Sequence, residues 1–176
     1  MSDISSDAPS PLGPAAGAAP VGRIVQVSIS AGGAPKHAVP RAVVGRLGLE
    51  GDRQRMRHHG GPDRAVMVYS VEQIATLRAA GHPIFPGAIG ENVTTQGIDL
   101  TVAGPGDRLH LGEQVVLEVR SYPKPCDGIG HAFQERDFMQ VYHRQHPGMS
   151  RLACGVLQGG EIAPGDEVRL VPAASR

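Results

Sequence analysis

Short apolar runs separated by glycine- and proline-containing turns recur along most of this chain. Residues 23–29 alternate apolar and polar side chains, and residues 65–69 form a continuous apolar run of strand length. The 24 glycines and 15 prolines are dispersed, which favours many turns and short strands over a helical bundle. A chain of 176 residues is long enough to bury a core within one domain. We therefore expect a single domain built mainly from short strands.

The first 20 residues differ from the rest of the chain in composition. They are rich in Ser, Ala, Pro and Gly, and Asp3 and Asp7 are their only charged side chains. Such a segment cannot bury enough apolar surface to order itself, so we predict a disordered tail over residues 1–20. It also lacks the basic start and the continuous apolar core of a signal peptide. The folded domain is expected to span residues 21–173.

Charge and aromatic content argue against several classes of function. The 17 Lys and Arg balance the 17 Asp and Glu, so no overall field directs the chain to nucleic acid or to a membrane surface. Aromatic residues make up only 3% and Trp is absent, which argues against a stacking platform for single-stranded nucleic acid. Two cysteines are too few for a disulfide scaffold, and free thiols suit a reducing compartment. We expect a cytoplasmic protein that binds neither nucleic acid nor membrane.

Two segments are predicted to be helical. Ser70 is a favourable N-cap, and Gln73 lies three residues later, where it completes a capping box. The helix that starts there is expected to end at Gly81. An apolar stripe that includes Phe133 predicts a second helix over residues 131–145.

The tripeptide Pro-Gly-Asp occurs twice, at residues 105–107 and 164–166, each time before a run of strand character. In such a turn the aspartate side chain can fix the backbone, and repeated turn–strand units are common in barrels. After the first copy the chain turns again near residue 112 and returns through the apolar residues 115–119. This pattern predicts a hairpin.

The loop within residues 51–70 is the strongest candidate for a binding site. It carries four arginines and the sequence His58-His59-Gly60-Gly61-Pro62 directly before an apolar strand. Arginines offer bidentate donors to phosphate or carboxylate, and adjacent histidines titrate near neutral pH. Glycines let the backbone approach an anion closely. The loop is therefore predicted to form one wall of an anion-binding pocket, and the alternative is a solvated surface turn.

A second polar turn follows at Gly90-Glu91-Asn92. Asn92, Thr94 and Thr95 offer hydrogen-bonding groups to a ligand. The structural alternative is a tight turn with Asn92 in a left-handed conformation.

The two cysteines occupy different sequence environments. Cys126 follows a strand, in a polar loop stiffened by two prolines and next to Lys124, which predicts an exposed, reactive thiolate. The alternative is an incidental surface cysteine. Cys154 lies within an apolar run over residues 152–157, where cysteine behaves as a small hydrophobic side chain. His143 and His146 have no carboxylate or cysteine at ligand spacing, so a zinc site there is not expected.

Together these motifs resemble the MOSC family, named for the C-terminal domain of molybdenum-cofactor sulfurase, and most of all its small stand-alone bacterial members. The carrying segments occur in the family's order at residues 51–53, 58–66, 90–97, 106–107, 125–126 and 156–160. The resemblance implies a mostly β fold, a MOSC-type β-barrel with a few helices packed outside.

The resemblance also implies a role for Cys126, as a molybdenum ligand or a sulfur carrier. Some relatives bind the molybdenum cofactor, molybdopterin, and reduce N-hydroxylated compounds with electron-transfer partner proteins, whereas others are proposed to deliver sulfur. Many relatives carry an aromatic residue and an arginine around residues 152–155, where this chain has Cys154 and Gly155. The expected cofactor-binding residues are Arg53, His58, His59, Gly60, Gly61, Arg64, Asn92, Thr94, Thr95 and Lys124.

Three functions follow as hypotheses. The first is a cofactor-binding protein that reduces a small N-hydroxylated substrate, with electrons from a separate electron-transfer protein because the chain lacks flavin, nicotinamide and iron–sulfur motifs. The second is a non-catalytic carrier that receives persulfide sulfur on Cys126 from a cysteine desulfurase. The third is a barrel that binds a small anion without redox chemistry.

Overall fold

Strands account for most of the regular structure in the computed structural model, which describes residues 20–54 and 60–174. The predicted tail over residues 1–20 lies outside this part except for Pro20. The described strands are β1 Val21–Ile29, β2 His37–Val39, β3 Ala42–Gly45, β4 Gly48–Leu49, β5 Val66–Ser70, β6 Val93–Gln96, β7 Arg108–Leu111, β8 Val115–Ser121, β9 Leu152–Gln158, β10 Gly160–Ile162 and β11 Glu167–Val171. One α-helix is described, α1 at Val71–Ala79.

Seven of these strands close into a barrel in the order β11-β7-β8-β9-β5-β6-β1. Closure comes from β1, whose Val21 pairs with Arg169 of β11. Among the described strands β5 and β6 form the one parallel pair of the barrel. Strand β2 extends the sheet beyond β1, and β10, β3 and β4 form a separate three-stranded sheet. The expectation of a mostly β barrel is confirmed.

Alternating side chains explain why these segments line a barrel. In β7, Leu109 and Leu111 are buried whereas Arg108 and His110 are exposed. Strand β8 repeats the pattern from Val115 onward. Since successive side chains of a strand point to opposite faces, the leucines and valines fill the interior and the charged residues face solvent. The hairpin predicted here is confirmed, with Leu111 paired to Val115.

The Pro-Gly-Asp turns are fixed by their aspartates, as predicted. Asp107 Oδ2 accepts from the Gly104 amide at 2.9 Å, and Asp166 Oδ2 accepts from the Ala163 amide at 2.9 Å. Each turn leads into a barrel strand, β7 or β11.

Helix α1 provides the crossover that the parallel strands β5 and β6 require. Its predicted capping box is confirmed: Ser70 Oγ accepts from the Gln73 amide, and the Gln73 side chain accepts from the Ser70 amide at 3.1 Å. The helix buries Ile74 and Leu77 in a second apolar cluster outside the barrel. No described helix has the length and apolar character needed to cross a bilayer.

The prediction of a helix over residues 131–145 is wrong. Three 3-10 segments replace it: Asp127–Ala132, Gln134–Arg136 and Phe138–Val141. Glu135 and Arg136 have φ values of 54° and 59°, in the left-handed region that an α-helix cannot include. Phe133 is buried as its apolar character suggested, but it packs from an irregular segment in the second cluster.

Candidate cofactor site

A cavity of about 240 Å³ lies where five segments of the chain meet. They are the loop after β1, the segment leading into and including the start of β5, the turn before β6, the loop after β8 and the residue before β9. Its walls bring together four of the predicted site residues: Arg64, Asn92, Lys124 and Cys126. Residues more than 60 positions apart in sequence therefore share one concave surface, which is the usual form of a ligand site.

The loop after β8 presents Cys126 at this cavity. The thiol is exposed, as predicted, and the 3-10 segment Asp127–Ala132 begins directly after it. Arg136 holds the start of this segment: its Nη2 lies 2.6 Å from Asp127 Oδ1 and donates to the Asp127 carbonyl at 3.0 Å. Gly128 leaves open space beside the sulfur, since a Cβ there would lie 3.6 Å from Cys126 Sγ. The sulfur can therefore reach a ligand in the cavity.

The cavity also contains an arginine that sequence analysis missed. Arg151 directly precedes β9, lines the cavity and donates from Nη1 to the Ile89 carbonyl. Burial lowers the pKa of Arg151, and the negative charges of Glu91 and then Cys126 act in the opposite direction. The residue was overlooked because the expected arginine belonged within residues 152–155. Here the guanidinium enters the site from one position earlier.

A buried ion pair, Lys36 with Asp52, also lines the cavity. Lys36 Nζ lies 2.5 Å and 2.6 Å from the two carboxylate oxygens of Asp52, and both side chains are about 95% buried. Asp52 also accepts from the Ser30 amide and from Asn92 Nδ2, each at 2.9 Å. The pair is neutral as a unit, so the surplus charge among the described lining residues comes from Arg64, Lys124 and Arg151. Within residues 51–53 the sequence pattern points to Arg53, whereas the buried contacts are made by Asp52.

Asn92 lines the cavity, but its side-chain amide is already hydrogen-bonded within the protein. Its Oδ1 accepts from the Met67 amide at 3.1 Å, and its Nδ2 donates to the Ser28 carbonyl at 3.2 Å as well as to Asp52. It does not adopt the left-handed conformation considered above, which among the described non-glycine residues occurs at Glu135 and Arg136. Asn92 therefore ties β1, β5 and the segment after β4 together at the cavity edge.

The structure does not bring Thr94 and Thr95 to the cavity. Both are buried in β6, where Thr94 Oγ1 donates to Glu91 Oε1 and Thr95 Oγ1 donates to the Tyr69 carbonyl, each at 3.4 Å. Their hydroxyls face packed protein, so the pterin contact predicted for them has no support from their positions.

The cationic loop predicted within residues 51–70 contributes Arg64 to the cavity, among its described residues. His58 and His59 lie outside the described residues. The Arg53 side chain is exposed, and its amide donates to the Ser30 carbonyl at 2.8 Å. Arg53, Gly60 and Gly61 are not part of the cavity lining. Gly61, with φ of 101°, starts the 3-10 turn that carries Arg64 into the site.

Cys154 is a core residue, as predicted. Its side chain is fully buried in β9, and burial raises the pKa of the thiol to about 12, against a smaller opposite effect of Arg120. It therefore stays protonated at neutral pH and cannot act as a nucleophile or ligand. The described residues contain no cluster of three or more His, Cys, Asp and Glu that could hold a metal ion. Of the two free cysteines, Cys126 is the exposed one and is available to a ligand.

The donor set suits a large anion that also carries a soft metal. Three cations offer charge-assisted hydrogen bonds to a phosphate, and one exposed sulfur offers a soft ligand of the kind that thiophilic metals prefer. A model for the MOSC domain matches residues 55–169. The chain belongs to the MOSC family.

Two curated proteins are similar to this chain in sequence. The uncharacterized protein YflK of Bacillus subtilis is 32% identical over 128 residues, which are 72% of this chain and 57% of YflK. A protein of Gibberella moniliformis named a reductase is 30% identical over 129 residues, 70% of this chain and 22% of that protein. The MOSC protein described here thus spans about half of one relative and about a fifth of the other.

Solved structures show the same architecture. The crystal structure of YiiM from Geobacillus stearothermophilus superposes with a TM-score of 0.64 at 25% identity, over 86% of this chain and 75% of that chain.

Proposed function

We propose that this MOSC protein binds the molybdenum–pterin cofactor in the cavity, with the Cys126 thiolate as the protein ligand of the metal. The observation that carries the proposal is the position of an exposed sulfur on the same concave surface as Arg64, Lys124 and Arg151. A cofactor with a phosphate at one end and a metal at the other matches cations and a sulfur that line one cavity.

The residues of the chain divide this task by chemistry. Arg64 and Lys124 reach the cavity from loops and would pair with the phosphate, Arg64 in bidentate geometry. Arg151 is fixed by the Ile89 carbonyl and supplies a positive charge in a poorly solvated position, where it attracts an anion most strongly. The Lys36–Asp52 pair adds a rigid, neutral wall.

The bound cofactor would supply two-electron redox chemistry, and the reaction we propose is reduction of a small N-hydroxylated compound. The name reductase of the Gibberella relative supports this direction. Residues 1–176 contain no flavin, nicotinamide or iron–sulfur motif, so electrons would come from a redox centre outside this MOSC domain, and we propose an electron-transfer partner.

The decisive experiment is cofactor analysis of protein purified from a host that makes molybdenum cofactor. Molybdenum and pterin are expected at about one per chain in the unmodified protein and in Cys154→Ala, and molybdenum retention is expected to fall strongly in Cys126→Ser. Purified protein without molybdenum or pterin, or equal metal content in Cys126→Ser, would contradict the proposal.

A sulfur carrier is the second candidate, favoured by the exposure of Cys126 and the burial of Cys154. In this case a cysteine desulfurase would transfer sulfur to the Cys126 thiolate as a persulfide. Intact-mass measurement after incubation with a desulfurase and cysteine would then show the addition of one sulfur atom, absent in Cys126→Ala. A mass that stays unchanged, in protein that binds the cofactor, rejects the carrier.

A further inference from the structure

Glu91 is a buried carboxyl group directly behind the cavity wall. Its neighbours Gly90 and Asn92 both line the cavity, whereas its own side chain points inward and is fully buried. Oε1 accepts from the Gly87 amide at 2.7 Å and from the Thr94 hydroxyl at 3.4 Å. Oε2 has no hydrogen-bond partner among the described residues. A buried carboxylate oxygen without a donor is costly, whereas a protonated carboxyl needs fewer donors.

Two ionisable groups of the described residues interact electrostatically with Glu91. They are Arg151, from the segment before β9, and Tyr69, from β5. The Tyr69 hydroxyl donates to the Met149 carbonyl at 3.0 Å, and burial together with the charge of Glu91 raises the pKa of this phenol. Tyr69 therefore stays neutral near neutral pH. Arg151 is consequently the charge that can hold Glu91 ionised, because arginine keeps its proton in proteins.

Arg151 connects Glu91 to the cavity. A Cβ at Gly90 would lie 3.6 Å from Arg151 Nη1, so the guanidinium rests against the backbone just before Glu91. The same guanidinium lines the cavity and interacts electrostatically with Cys126 and Arg64. An anion in the cavity and the Glu91 carboxylate would therefore both interact with the one positive charge of Arg151.

Protonation of Glu91 would leave the positive charge of Arg151 to the anion. Burial raises the pKa of Glu91, against the opposing effects of the Gly87 and Glu91 backbone amides, of Arg151 and of the Ile89 amide. An anion that engages Arg151 weakens this opposition and adds negative potential nearby, so it favours the protonated carboxyl.

We propose that Glu91 takes up a proton when an anion binds in the cavity, and so makes anion binding proton-linked through Arg151. This inference rests on the part of the proposed function in which an anion binds to Arg151, and it requires no molybdenum. Reciprocal coupling then requires anions to bind more tightly at low pH.

Sulfate is a suitable probe because it remains a dianion from about pH 5 to about pH 8. Calorimetric titrations of the full chain in buffers with different ionisation enthalpies give the number of protons taken up per sulfate. We expect uptake that approaches one proton, with affinity falling by up to about tenfold per pH unit where coupling is complete. In Glu91→Gln the uptake should be lost while sulfate still binds.

Glu113→Gln is the matched control, since Glu113 is an exposed carboxylate in the turn between β7 and β8. It should keep the full uptake. Equal proton uptake in Glu91→Gln and the unmodified protein, or no uptake by the unmodified protein at any pH, would overturn the inference. Failure of sulfate to bind would contradict both the inference and the proposed anion site. Proton uptake in a protein that never acquires molybdenum would contradict only the proposed cofactor, and the inference would stand.

A second measurement covers the case in which Glu91→Gln does not fold. Sulfate-induced infrared difference spectra of the unmodified protein should show a new protonated-carboxyl band. Glu91→Asp keeps a titratable group and should shift that band. A spectrum without such a band, or a band that Glu91→Asp leaves in place, would contradict the inference.

Discussion

At the scale of single residues, the surroundings of a side chain decide its chemistry more than its type does. Cys126 and Cys154 have the same thiol, yet one is exposed beside cations and the other is enclosed by barrel strands. Lys36 and Lys124 both line the cavity, yet the charge of Lys36 is neutralised by Asp52. Sequence analysis found Cys126, Lys124 and Arg64 because local composition marks an exposed polar loop.

Burial of Cys154 predicts a loss of stability in alkali. The pKa of this thiol rises from an ordinary value of 9.0 in the unfolded chain to about 12 in the folded protein. Between these values the unfolded chain has released the proton and the folded chain has not, so the free energy of unfolding must fall as pH rises through this range. Urea titrations at several pH values should show a shallower decline for Cys154→Ala than for the unmodified protein. Parallel curves for the two proteins would show that Cys154 titrates normally.

Asp52 should contribute far more to stability than a surface carboxylate does. In Asp52→Asn the ammonium of Lys36 remains buried without its counter-charge, which is expected to cost about 3–5 kcal/mol of unfolding free energy. The ion pair of Arg41 with Glu161 is exposed, so Glu161→Gln should cost less than about 1 kcal/mol. Similar losses in chemical denaturation would argue against a special role for Asp52.

At the scale of elements, the cavity depends on how connecting segments rest on the barrel. The 3-10 turn Pro62–Arg64 packs on β9 at Gly155, where the absence of a side chain lets it approach. Arg120 of β8 also lies over Gly155, and its Nε is 3.7 Å from Asp63 Oδ1. The packing of Pro62 on Gly155 positions the turn from which Arg64 enters the cavity, and the exposed Arg120–Asp63 contact lies beside it.

A methyl group at Gly155 should disturb this turn. In Gly155→Ala the Cβ would lie 2.8 Å from Arg120 Nε and 2.9 Å from the Pro62 carbonyl oxygen, closer than packed atoms tolerate. We expect a loss of about 1–3 kcal/mol in unfolding free energy and weaker sulfate binding. Gly45→Ala is the control, because its Cβ would meet its nearest atom at 3.8 Å. Unchanged stability and sulfate affinity in Gly155→Ala would show that the turn adapts freely.

Local signals predicted some of these elements and missed others for identifiable reasons. Helix α1 was predictable because the capping box of Ser70 and Gln73 acts within four residues. The segment over residues 131–145 was not, since the left-handed backbone at Glu135 and Arg136 accompanies contacts that Arg136 makes with Asp127, nine positions away. Arg151 escaped notice because only the assembled barrel shows which neighbours surround it.

At the scale of the whole molecule, the first and last barrel strands hold the fold together. Strands β1 and β11 pair at residues 21–23 and 167–169, so the circle of strands depends on a contact between the two ends of the domain. The segments that line the cavity are connections and strand ends of this closed barrel.

Removal of β11 should therefore abolish cooperative folding. A chain that stops at residue 163 would leave the partners of β11 in β1 and β7 unpaired, and exposed strand edges promote aggregation. We expect loss of the sigmoidal urea transition and association at low concentration, measured by circular dichroism and light scattering. A chain that stops at residue 171 keeps all eleven strands and is the control. Cooperative unfolding of the shorter chain would show that the barrel tolerates an open side.

The unequal placement of the two thiols also determines what happens when the protein is stored in air. Cys154 cannot meet Cys126 unless β9 leaves the core, so oxidation has no route to an internal crosslink while the fold is intact. Aged samples should accumulate a covalent dimer joined through Cys126 on both copies, visible on a non-reducing gel and absent in Cys126→Ser. Handling without reductant would thus consume the one sulfur that the proposed chemistry needs.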